Sequence, residues 1–456
     1  MDSRTFASAD RLTRRFPAPG TSSPVTSSPA VSTIPAPRLR PPHPLTGKHT
    51  LVVGINYAPE PTGIAPYTTG MAEHLAEHAG SVTVLTGVPH YPNWSRDPIY
   101  RWIFRTREQV RPTNDSGLVI RRLRHYVPST QTALTRAGYE ASFMLNAWST
   151  RAEHRPDLVI AVTPSLGGAV AGARLANRYG SKLLVVVQDL MARAASQSGI
   201  SGGSRATRAT AAIERYALGQ ADRVAVVSDA FRDQLHEYGV RDDKISVLPN
   251  WTHIRRAELS KDAARHALRW PTKPFTVVHT GNIGLKQDLG NLVEAARLCR
   301  FEPGIRFVIV GDGSQRAAIE AQAAGLTNLR FIDPLDGDRY PMALAAADLL
   351  VVNERPGVGD MSLPSKLTSY LCAGRPVIAA VAADGASARE LLRTGGGALI
   401  VPPGDPMTFV EALLNLRLDS LRCTRMAEAG RRYAEATLGR DTAAERLDIL
   451  LEECLS

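Results

Sequence analysis

The sequence predicts an α/β protein built from two doubly wound, parallel-sheet domains that face each other across a central cleft. Apolar runs such as HTLVVGIN, SVTVLTG and KLLVVVQDL alternate with helical segments in the first half of the chain. The alternation breaks in a polar, basic stretch after Asn250 and starts again at FTVVHTGN. Continuous apolar strands are typical of parallel sheets covered by helices on both faces, and 456 residues suffice for two or three domains.

We divide the chain into four segments. Residues 1–46 are rich in Pro, Ser, Thr and Ala, and we expect them to be disordered because they bury too little apolar surface to offset the entropy of ordering. Residues 47–250 and 251–430 are the two α/β domains. Residues 431–456 form a closing helix, which we expect to pack back on the first domain.

Composition limits the compartment of the protein. The four cysteines lie far apart in the sequence, which disfavours a disulfide framework or a zinc site and fits a reducing cytoplasm. No apolar run reaches the ~18–20 residues that span a bilayer. The basic N-terminus lacks the apolar core of a secretory signal.

The chain is basic, with a formal net charge of +10. Between Arg101 and Arg155, ten arginines stand against four acidic residues. Such a region suits nucleic acid, an anionic membrane surface or a negatively charged substrate. A solvated basic face is the plainer alternative.

Ligands of open α/β sheets bind beyond the carboxyl ends of the strands, so the strand-end loops are the first candidates for a site. The loop Pro59–Ala65 follows the first strand and contains Gly63, just before a helix that opens with Pro66. Gly63 allows the backbone to approach a ligand closely, and the helix start offers N–H donors to an anion. A plain turn is the alternative.

The loop Gly281–Gln287 has the same placement in the second half. Gly281 and Gly284 free the backbone to form an anion-binding concavity, and Lys286 adds a compact positive charge. The loop is not a P-loop, because the pattern GxxxxGK[ST] is absent. Phosphate binding is the functional hypothesis, and a glycine turn with a solvated lysine is the alternative.

The stretch LPSKLTSYLCAGRPV predicts a short helix that starts near Pro364 and ends at Gly374. Lys366 then lies in the first helical turn, where unpaired N–H groups and the helix dipole already present positive charge. Only seven of the 54 basic residues are lysines. A lysine at this unfavourable position indicates that an anion binds there.

Other polar residues are weaker candidates. Asp189 ends the strand KLLVVVQD and suits a base or an orienting group for a hydroxyl, with helix capping as the alternative. Gly311 occupies a further strand-end turn and is more simply structural. The acidic loop at Asp336–Asp338 is interpreted as a turn rather than a metal site. His90 and His279 are isolated in sequence and are interpreted as packing or hydrogen-bonding residues.

Taken together, these stretches resemble the GT-B glycosyltransferases of family 4, and in particular the WcaI-type enzymes of colanic acid and related exopolysaccharide biosynthesis. The matching stretches lie between residues 51 and about 380 in the same order and at the same spacing as in the family. They are GINYAPEPTGIAPYT, TGVPHYPNW, VVQDL, LPNWT, TGNIGLKQDLGNLVEAA, VGDG and ADLLVVNERPGVGDMSLPSKLTSYLCAGRPVIA.

The resemblance implies two Rossmann-like domains, the first for the acceptor and the second for a nucleoside-diphosphate sugar. It implies that Lys286 and Lys366 are the cations at the donor diphosphate. Asp189 joins them as a catalytic candidate, because Val186 stands where WcaI-type relatives often have a histidine. The residues that it places around the donor are Gly63, Gly281, Asn282, Gly284, Lys286, Gly311, Pro364, Ser365, Lys366 and Ser369. It also implies retention of anomeric configuration without a metal or cofactor. The expected partners are a lipid-linked or glycan acceptor and an anionic surface of the cytoplasmic membrane, not nucleic acid.

Four positions depart from the patterns of the family or of its WcaI-type members. Ser369 stands where a glutamate usually binds the donor ribose, and Met361 stands at the position of its partner glutamate. Asn282 replaces an arginine that many members carry, and Val186 replaces a histidine frequent in WcaI-type relatives. Val186 and Ser369 support one alternative, a catalytically silent GT-B scaffold subunit. A nucleotide-sugar epimerase of the same fold is the other alternative; it would need acids and a histidine around the donor sugar, and the stretch PSKLTSYLCAGRPV favours a transferase.

Overall fold

The structure is a computed structural model that describes residues 43–456 except 62, 101, 103, 111–116, 131, 192–203, 253, 255 and 358–364. Residues 1–42 of the predicted tail, and the predicted site residue Pro364 with its neighbour Met361, lie outside the described residues. Leu45 is fully buried in the core of the first domain. The last four residues of the predicted tail, 43–46, are therefore part of the folded domain.

Within the described residues, the first half of the chain forms an eight-stranded sheet. Its strands are β1 (His49–Val53), β2 (Ser81–Gly87), β3 (Glu108–Val110), β4 (Gly117–Leu123), β5 (Leu158–Val162), β6 (Lys182–Val187), β7 (Arg223–Val226) and β8 (Ile245–Val247). They lie in the order β3-β4-β2-β1-β5-β6-β7-β8, and only the β3–β4 pair is antiparallel. The helices are α1 (Ala65–His78), α2 (Ala133–Ser149), α3 (Leu166–Tyr179), α4 (Ser204–Gly219) and α5 (Arg232–Glu237).

Apolar side chains cover both faces of this sheet. Along β5, Val159 and Ala161 belong to one buried cluster, whereas Leu158 and Ile160 belong to a second cluster on the opposite face. Because side chains of a strand alternate between faces, a strand with no polar positions must be covered twice. Val186, the position of the missing histidine, is buried in the second cluster.

The second half forms a six-stranded sheet that is parallel throughout. Its strands are β9 (Phe275–Thr280), β10 (Ile305–Val310), β11 (Leu329–Ile332), β12 (Leu349–Asn353), β13 (Val377–Ala380) and β14 (Ala398–Val401), in the order β11-β10-β9-β12-β13-β14. The helices are α6 (Lys261–Leu268), α7 (Gly290–Leu298), α8 (Arg316–Gln322), α9 (Arg339–Ala346), α10 (Lys366–Ala373), α11 (Ala386–Leu392) and α12 (Pro406–Leu418). This sheet too is buried between two apolar clusters.

Two further helices, α13 (Ser420–Thr437) and α14 (Arg440–Leu455), end the chain. The apolar face of α14, with Leu447, Leu450 and Leu451, is buried in the same cluster as Val52 of β1. The C-terminal helix thus packs on the first sheet. No helix in the described part of the chain is both long and apolar enough to cross a membrane.

The two halves contact each other where two helices begin. Tyr67, in the first turn of α1, hydrogen-bonds Thr368, in the first turn of α10. The Tyr67 ring also packs edge-on against Trp251, with ring centroids 5.5 Å apart. The amino-terminal ends of α1 and α10 therefore meet at the cleft between the domains.

Candidate active site

The loop after β9 is held in shape by its own side chains. The Gln287 side chain accepts hydrogen bonds from the Gly284 N–H (3.2 Å) and from the amide of Asn282 (3.3 Å). Asn353, at the end of β12, donates to the carbonyls of Gln287 (2.7 Å) and Asp288 (3.0 Å). These contacts fix the turn that presents Lys286.

Gly281 and Gly311 lie against each other where β9 and β10 end. The Gly281 N–H donates to the Val310 carbonyl at 2.9 Å. Gly311 has φ +146°, and a Cβ placed on it would lie 1.9 Å from the Gly281 carbonyl oxygen. A side chain at Gly311 is therefore excluded by backbone packing. The structure gives this glycine a packing role that does not require a ligand.

Lys366 lies in the first turn of α10, as the sequence predicts, and is the first residue of that helix; the helix ends at Gly374 in the left-handed region (φ +63°). A Cβ placed on Gly281 would lie 3.5 Å from the Lys366 Nζ. Ser365 precedes the helix, and within the described residues no side chain caps this helix end. The helix dipole, the Lys366 ammonium and the Gly281 backbone thus converge on one spot.

A buried histidine receives the Lys366 ammonium. The Nδ1–H of His279 donates to the Val351 carbonyl at 3.0 Å, so that Nε2 is free to accept from the Lys366 Nζ at 3.1 Å. Burial, reinforced by the ammonium, holds the pKa of His279 well below its usual range. Burial also lowers the pKa of Lys366 to about 7, although the negative charge of Glu354 opposes the shift. Without an anion nearby, this lysine is only partly charged at neutral pH.

Glu354 follows β12, and the charges of Lys366 and Lys286 both act on its carboxylate. Burial raises the pKa of Glu354, while a hydrogen bond from the Ser387 hydroxyl (2.6 Å) and the charges of Lys366 and Lys286 oppose that shift. Glu354 is the carboxylate whose charge acts on Lys366, and its raised pKa means that it balances that ammonium only in part. Lys366 therefore has positive charge to offer an anionic ligand.

Asp189 extends the site to the first domain. It lies just after β6, and its carboxylate accepts a hydrogen bond from the Leu190 N–H at 2.9 Å. Burial raises the pKa of Asp189 to about 6, and the nearby ammonium of Lys286, from the second domain, works against that rise. The structure thus brings Asp189 and Lys286 into electrostatic contact across the cleft.

Ser369 faces a different neighbourhood from Lys366. It is buried and hydrogen-bonds the Tyr340 hydroxyl, which in turn contacts the Thr280 hydroxyl at 3.0 Å. Ser369 also lines a small cavity with Arg256 and Cys372. It lies one helical turn along α10 from Lys366. Its side chain faces Arg256, in the segment that joins the two domains.

The loop that contains Gly63 is anchored by a buried carboxylate. Glu60 accepts hydrogen bonds from the N–H groups of His90 (2.8 Å) and Tyr91 (2.9 Å) and from the Asn56 amide (2.7 Å). Gly63 has φ +70°, and a Cβ placed on it would lie 3.1 Å from the Tyr91 ring. Gly63 comes just before the start of α1, where Tyr67 contacts the helix that carries Lys366.

His90 is part of a buried aromatic cluster behind this loop. Its Nδ1–H donates to the Val88 carbonyl (2.9 Å), and its Nε2 lies 3.0 Å from the Tyr139 hydroxyl. Burial lowers the pKa of His90, against the attraction of Glu60. Burial, with His90 beside it, lowers the pKa of His125 to about 3. These two imidazoles are neutral structural groups at physiological pH.

Three contributors to the site escaped prediction from sequence. Glu60, Glu354 and His279 each act through a partner distant in the chain, and the sequence alone shows His279 as an isolated histidine. His279 could have been found from its place: it lies two residues before Gly281 on a strand whose carboxyl end faces the cleft.

Two family models match the chain. One, described as a glycosyl transferase 4-like domain, covers residues 62–251, and the other, described as glycosyl transferases group 1, covers residues 274–419. Over 404 residues the chain is 32% identical to the colanic acid biosynthesis glycosyl transferase WcaI of Escherichia coli K12, which spans 86% of this chain and 96% of WcaI. The chain belongs to the WcaI-type glycosyltransferases of family 4. The epimerase alternative is set aside, because the matched models and WcaI are glycosyltransferases.

Solved glycosyltransferase structures share the GT-B fold of this family 4 enzyme. Sucrose-phosphate synthase from Thermosynechococcus elongatus superposes with a TM-score of 0.66 at 17% identity, covering 88% of this chain and 98% of that one. Anabaena HepE in complex with UDP-glucose superposes with a TM-score of 0.61 at 15% identity, covering 88% and 98%. At these identities the likeness shows the fold.

Proposed function

We propose that this glycosyltransferase moves a sugar from a nucleoside-diphosphate sugar to a lipid-linked or polysaccharide acceptor in exopolysaccharide biosynthesis. The observation that carries the proposal is the meeting of two helix starts at the cleft, next to Lys366 and Gly281. The likeness to WcaI supports the pathway class, and the UDP-glucose complex of HepE supports the donor class.

The donor diphosphate would lie against the start of α10. Departure of a nucleoside diphosphate builds negative charge on the leaving oxygen, and preorganised positive groups stabilise that charge. Lys366 suits this role because its pKa of about 7 rises when an anion replaces water beside it. Lys286 supplies the second cation from the loop fixed by Gln287 and Asn353. Asn282, where many relatives have arginine, supplies no charge.

Asp189 would orient the acceptor hydroxyl or accept its proton. With its pKa near 6, the carboxylate is ionised at neutral pH and basic enough to bind a hydroxyl proton. We further propose that transfer retains the anomeric configuration, with attack from the face that the diphosphate leaves. We also propose that no metal is required, since two lysines and a helix dipole supply the positive charge.

The first domain has a surface suited to an anionic membrane. Large apolar side chains are exposed around α2, including Phe104, Leu134 and Leu145. Arg105, which precedes β3, reaches the end of α2 and donates to the Ser149 hydroxyl at 2.7 Å. Apolar groups interleaved with arginines bind the headgroup region of anionic bilayers. We propose that this face holds the enzyme at the cytoplasmic membrane, where a lipid-linked acceptor lies.

The catalytic proposal is tested by incubating the full chain with a panel of UDP- and GDP-sugars, with and without a lipid-diphosphate-linked sugar. We expect one donor to release nucleoside diphosphate, faster with acceptor present and equally fast in EDTA. Proton NMR of the glycoside should give the same anomeric configuration as in the donor. Nucleotide binding without turnover over the panel would instead favour the silent scaffold, for which Val186 and Ser369 are the arguments.

The membrane proposal is tested by flotation with anionic liposomes at low and high salt. We expect Leu134→Glu/Leu145→Glu to lose most binding at low salt. The matched control is Leu418→Glu, a similarly exposed leucine at the end of α12 in the second domain. Absence of wild-type binding at low salt would end the proposal.

A further inference from the structure

Three histidines meet on the first domain, near the carboxyl-terminal end of α1 and away from the cleft. His74 and His78 lie four residues apart on one face of α1, and His43 reaches them from the residues before β1. One ligand nitrogen of each lies within 4.8 Å of the others. Among the described residues, these three are the set of histidine, cysteine or acidic side chains whose ligand atoms lie close enough together to hold one metal ion.

A carboxylate from the far end of the chain joins this histidine cluster (His43, His74 and His78). An Asp448 oxygen, on α14, lies 2.7 Å from the His74 Nε2 and 3.0 Å from the His43 Nε2. The four side chains come from three separate segments of the chain. Such convergence has no role in the glycosyl transfer proposed above.

The three imidazole rings lie against one another. The His43 and His78 rings stack with centroids 4.1 Å apart, and the His74 ring lies 5.0 Å from His78. Because a metal lies in the plane of each imidazole that binds it, the stacked His78 ring must rotate away from His43 before both rings bind one ion.

We propose that the histidine cluster and Asp448 bind one Zn²⁺ ion that fastens α14 and the residues before β1 to α1. Three nitrogens and one carboxylate oxygen fill a tetrahedral zinc site, and imidazole favours zinc over magnesium or calcium. Binding through the His43 Nε2 moves its proton to Nδ1 and gives up the 3.2 Å contact that Nδ1 accepts from the Leu45 N–H. The exposed His78 closes the site by a change of rotamer.

The test is zinc titration of the full chain, purified without a histidine tag and treated with a chelator. Calorimetry against a competing chelator should give about one equivalent, and the melting temperature should rise by roughly 2–4 °C in excess ZnCl₂. Asp448→Asn should weaken binding at least ~10-fold, and His74→Ala/His78→Ala should weaken it at least ~100-fold.

The matched control is His154→Ala, because His154 stacks on His49 at 4.7 Å and, in the part of the chain that the structure describes, belongs to no group of three metal-ligating side chains. This variant should bind zinc like the wild type. Affinity that is equal in the wild type and in His74→Ala/His78→Ala would overturn the proposal, as would zinc binding without any rise in melting temperature. Nucleoside-diphosphate binding, followed in the same samples, is independent of the outcome.

Discussion

The strand-end loops of the two domains are stabilised in different ways. In the first domain, Glu60 is buried and accepts hydrogen bonds from the N–H groups of His90 and Tyr91 and from Asn56. These hydrogen bonds join two strand-end loops of the first domain to each other. In the second domain, Lys366 has a neutral imidazole at 3.1 Å and shares Glu354 with Lys286, which also faces Asp189 of the first domain.

The first domain thus provides a rigid shape, and the second domain provides unbalanced positive charge. A loop that satisfies its own polar groups gains nothing electrostatically from a ligand and serves as a rigid wall. A buried ammonium short of negative charge is destabilised until an anion arrives. We infer that the second domain is less stable without its anionic ligand, whereas the first domain presents a rigid surface opposite it. Each substitution below tests either the charged site of the second domain or the rigid loops of the first.

The largest effect is expected for Lys366→Ala. Loss of a preorganised cation at the leaving group should lower kcat/KM roughly 10²–10³-fold. The melting temperature should stay unchanged or rise, since the substitution removes a partly buried charge that lacks a full partner. Steady-state kinetics and thermal unfolding measure the two effects, with the exposed Lys273→Ala as control. Parallel loss of activity and stability would instead indicate a structural lysine.

The second prediction concerns pH. In the proposed mechanism, transfer requires ionised Asp189, with a pKa of about 6, and protonated Lys366, with a pKa of about 7. As pH rises, kcat/KM should therefore increase through the first value and fall through the second, giving a narrow bell. Lys286→Ala should reduce activity roughly 10–100-fold and move the rising limb to higher pH, because it removes the cation that opposes the raised pKa of Asp189.

A matched variant, Asp189→Asn, shows which part of the pH dependence of kcat/KM is due to the Asp189 carboxylate. Asp189→Asn should abolish the rising limb while leaving the falling limb in place. If Lys286→Ala lowers the rate without moving the rising limb, then Asp189 and Lys286 do not interact in the working enzyme. The pH dependence of donor binding by calorimetry then shows whether the falling limb still belongs to Lys366.

The third prediction concerns the buried carboxylate of Glu60, which anchors the rigid loops of the first domain. Glu60→Ala leaves the buried N–H groups of His90 and Tyr91 without their acceptor, which should lower the free energy of unfolding by about 2–3 kcal/mol. Urea unfolding measures the change. Glu73→Ala removes an exposed ion pair to Arg440 (3.1 Å) and should change it by less than about 0.5 kcal/mol. Equal effects of the two substitutions would show that Glu60 is not an anchor.

Sequence patterns predicted the strands, helices and helix ends but not which distant residues pair with each other in the site. Alternating apolar strands and helices predict the two parallel sheets, and the positions of Lys366 and Gly374 follow from the helix-end residues around them. His279 and Lys366 are separated by 87 residues, and Glu60 and His90 by 30. Because a single sequence holds no record of which distant residues meet, such pairs need the topology. The likeness to the family suggested the proposed roles of the lysines but not their partners.

The smallest effect is expected at Ser369, where the family usually has an acid. Its hydroxyl bonds Tyr340, which contacts Thr280 at the end of β9. If Ser369 replaces the acid as a ribose contact, Ser369→Ala removes one neutral hydrogen bond, worth about 0.5–1.5 kcal/mol. The donor KM should then rise roughly 2–10-fold with kcat unchanged.

Inorganic pyrophosphate distinguishes a ribose contact from a structural one, because it has the diphosphate without the sugar or base. A ribose contact at Ser369 predicts that Ser369→Ala leaves inhibition by pyrophosphate unchanged while the donor KM rises. A Ser369 that only positions Tyr340, and through it the strand end beside Gly281, predicts that both weaken together. The second outcome would move Ser369 from the donor pocket to the support of the diphosphate loop, and would leave Lys366 as the residue through which α10 contacts the donor.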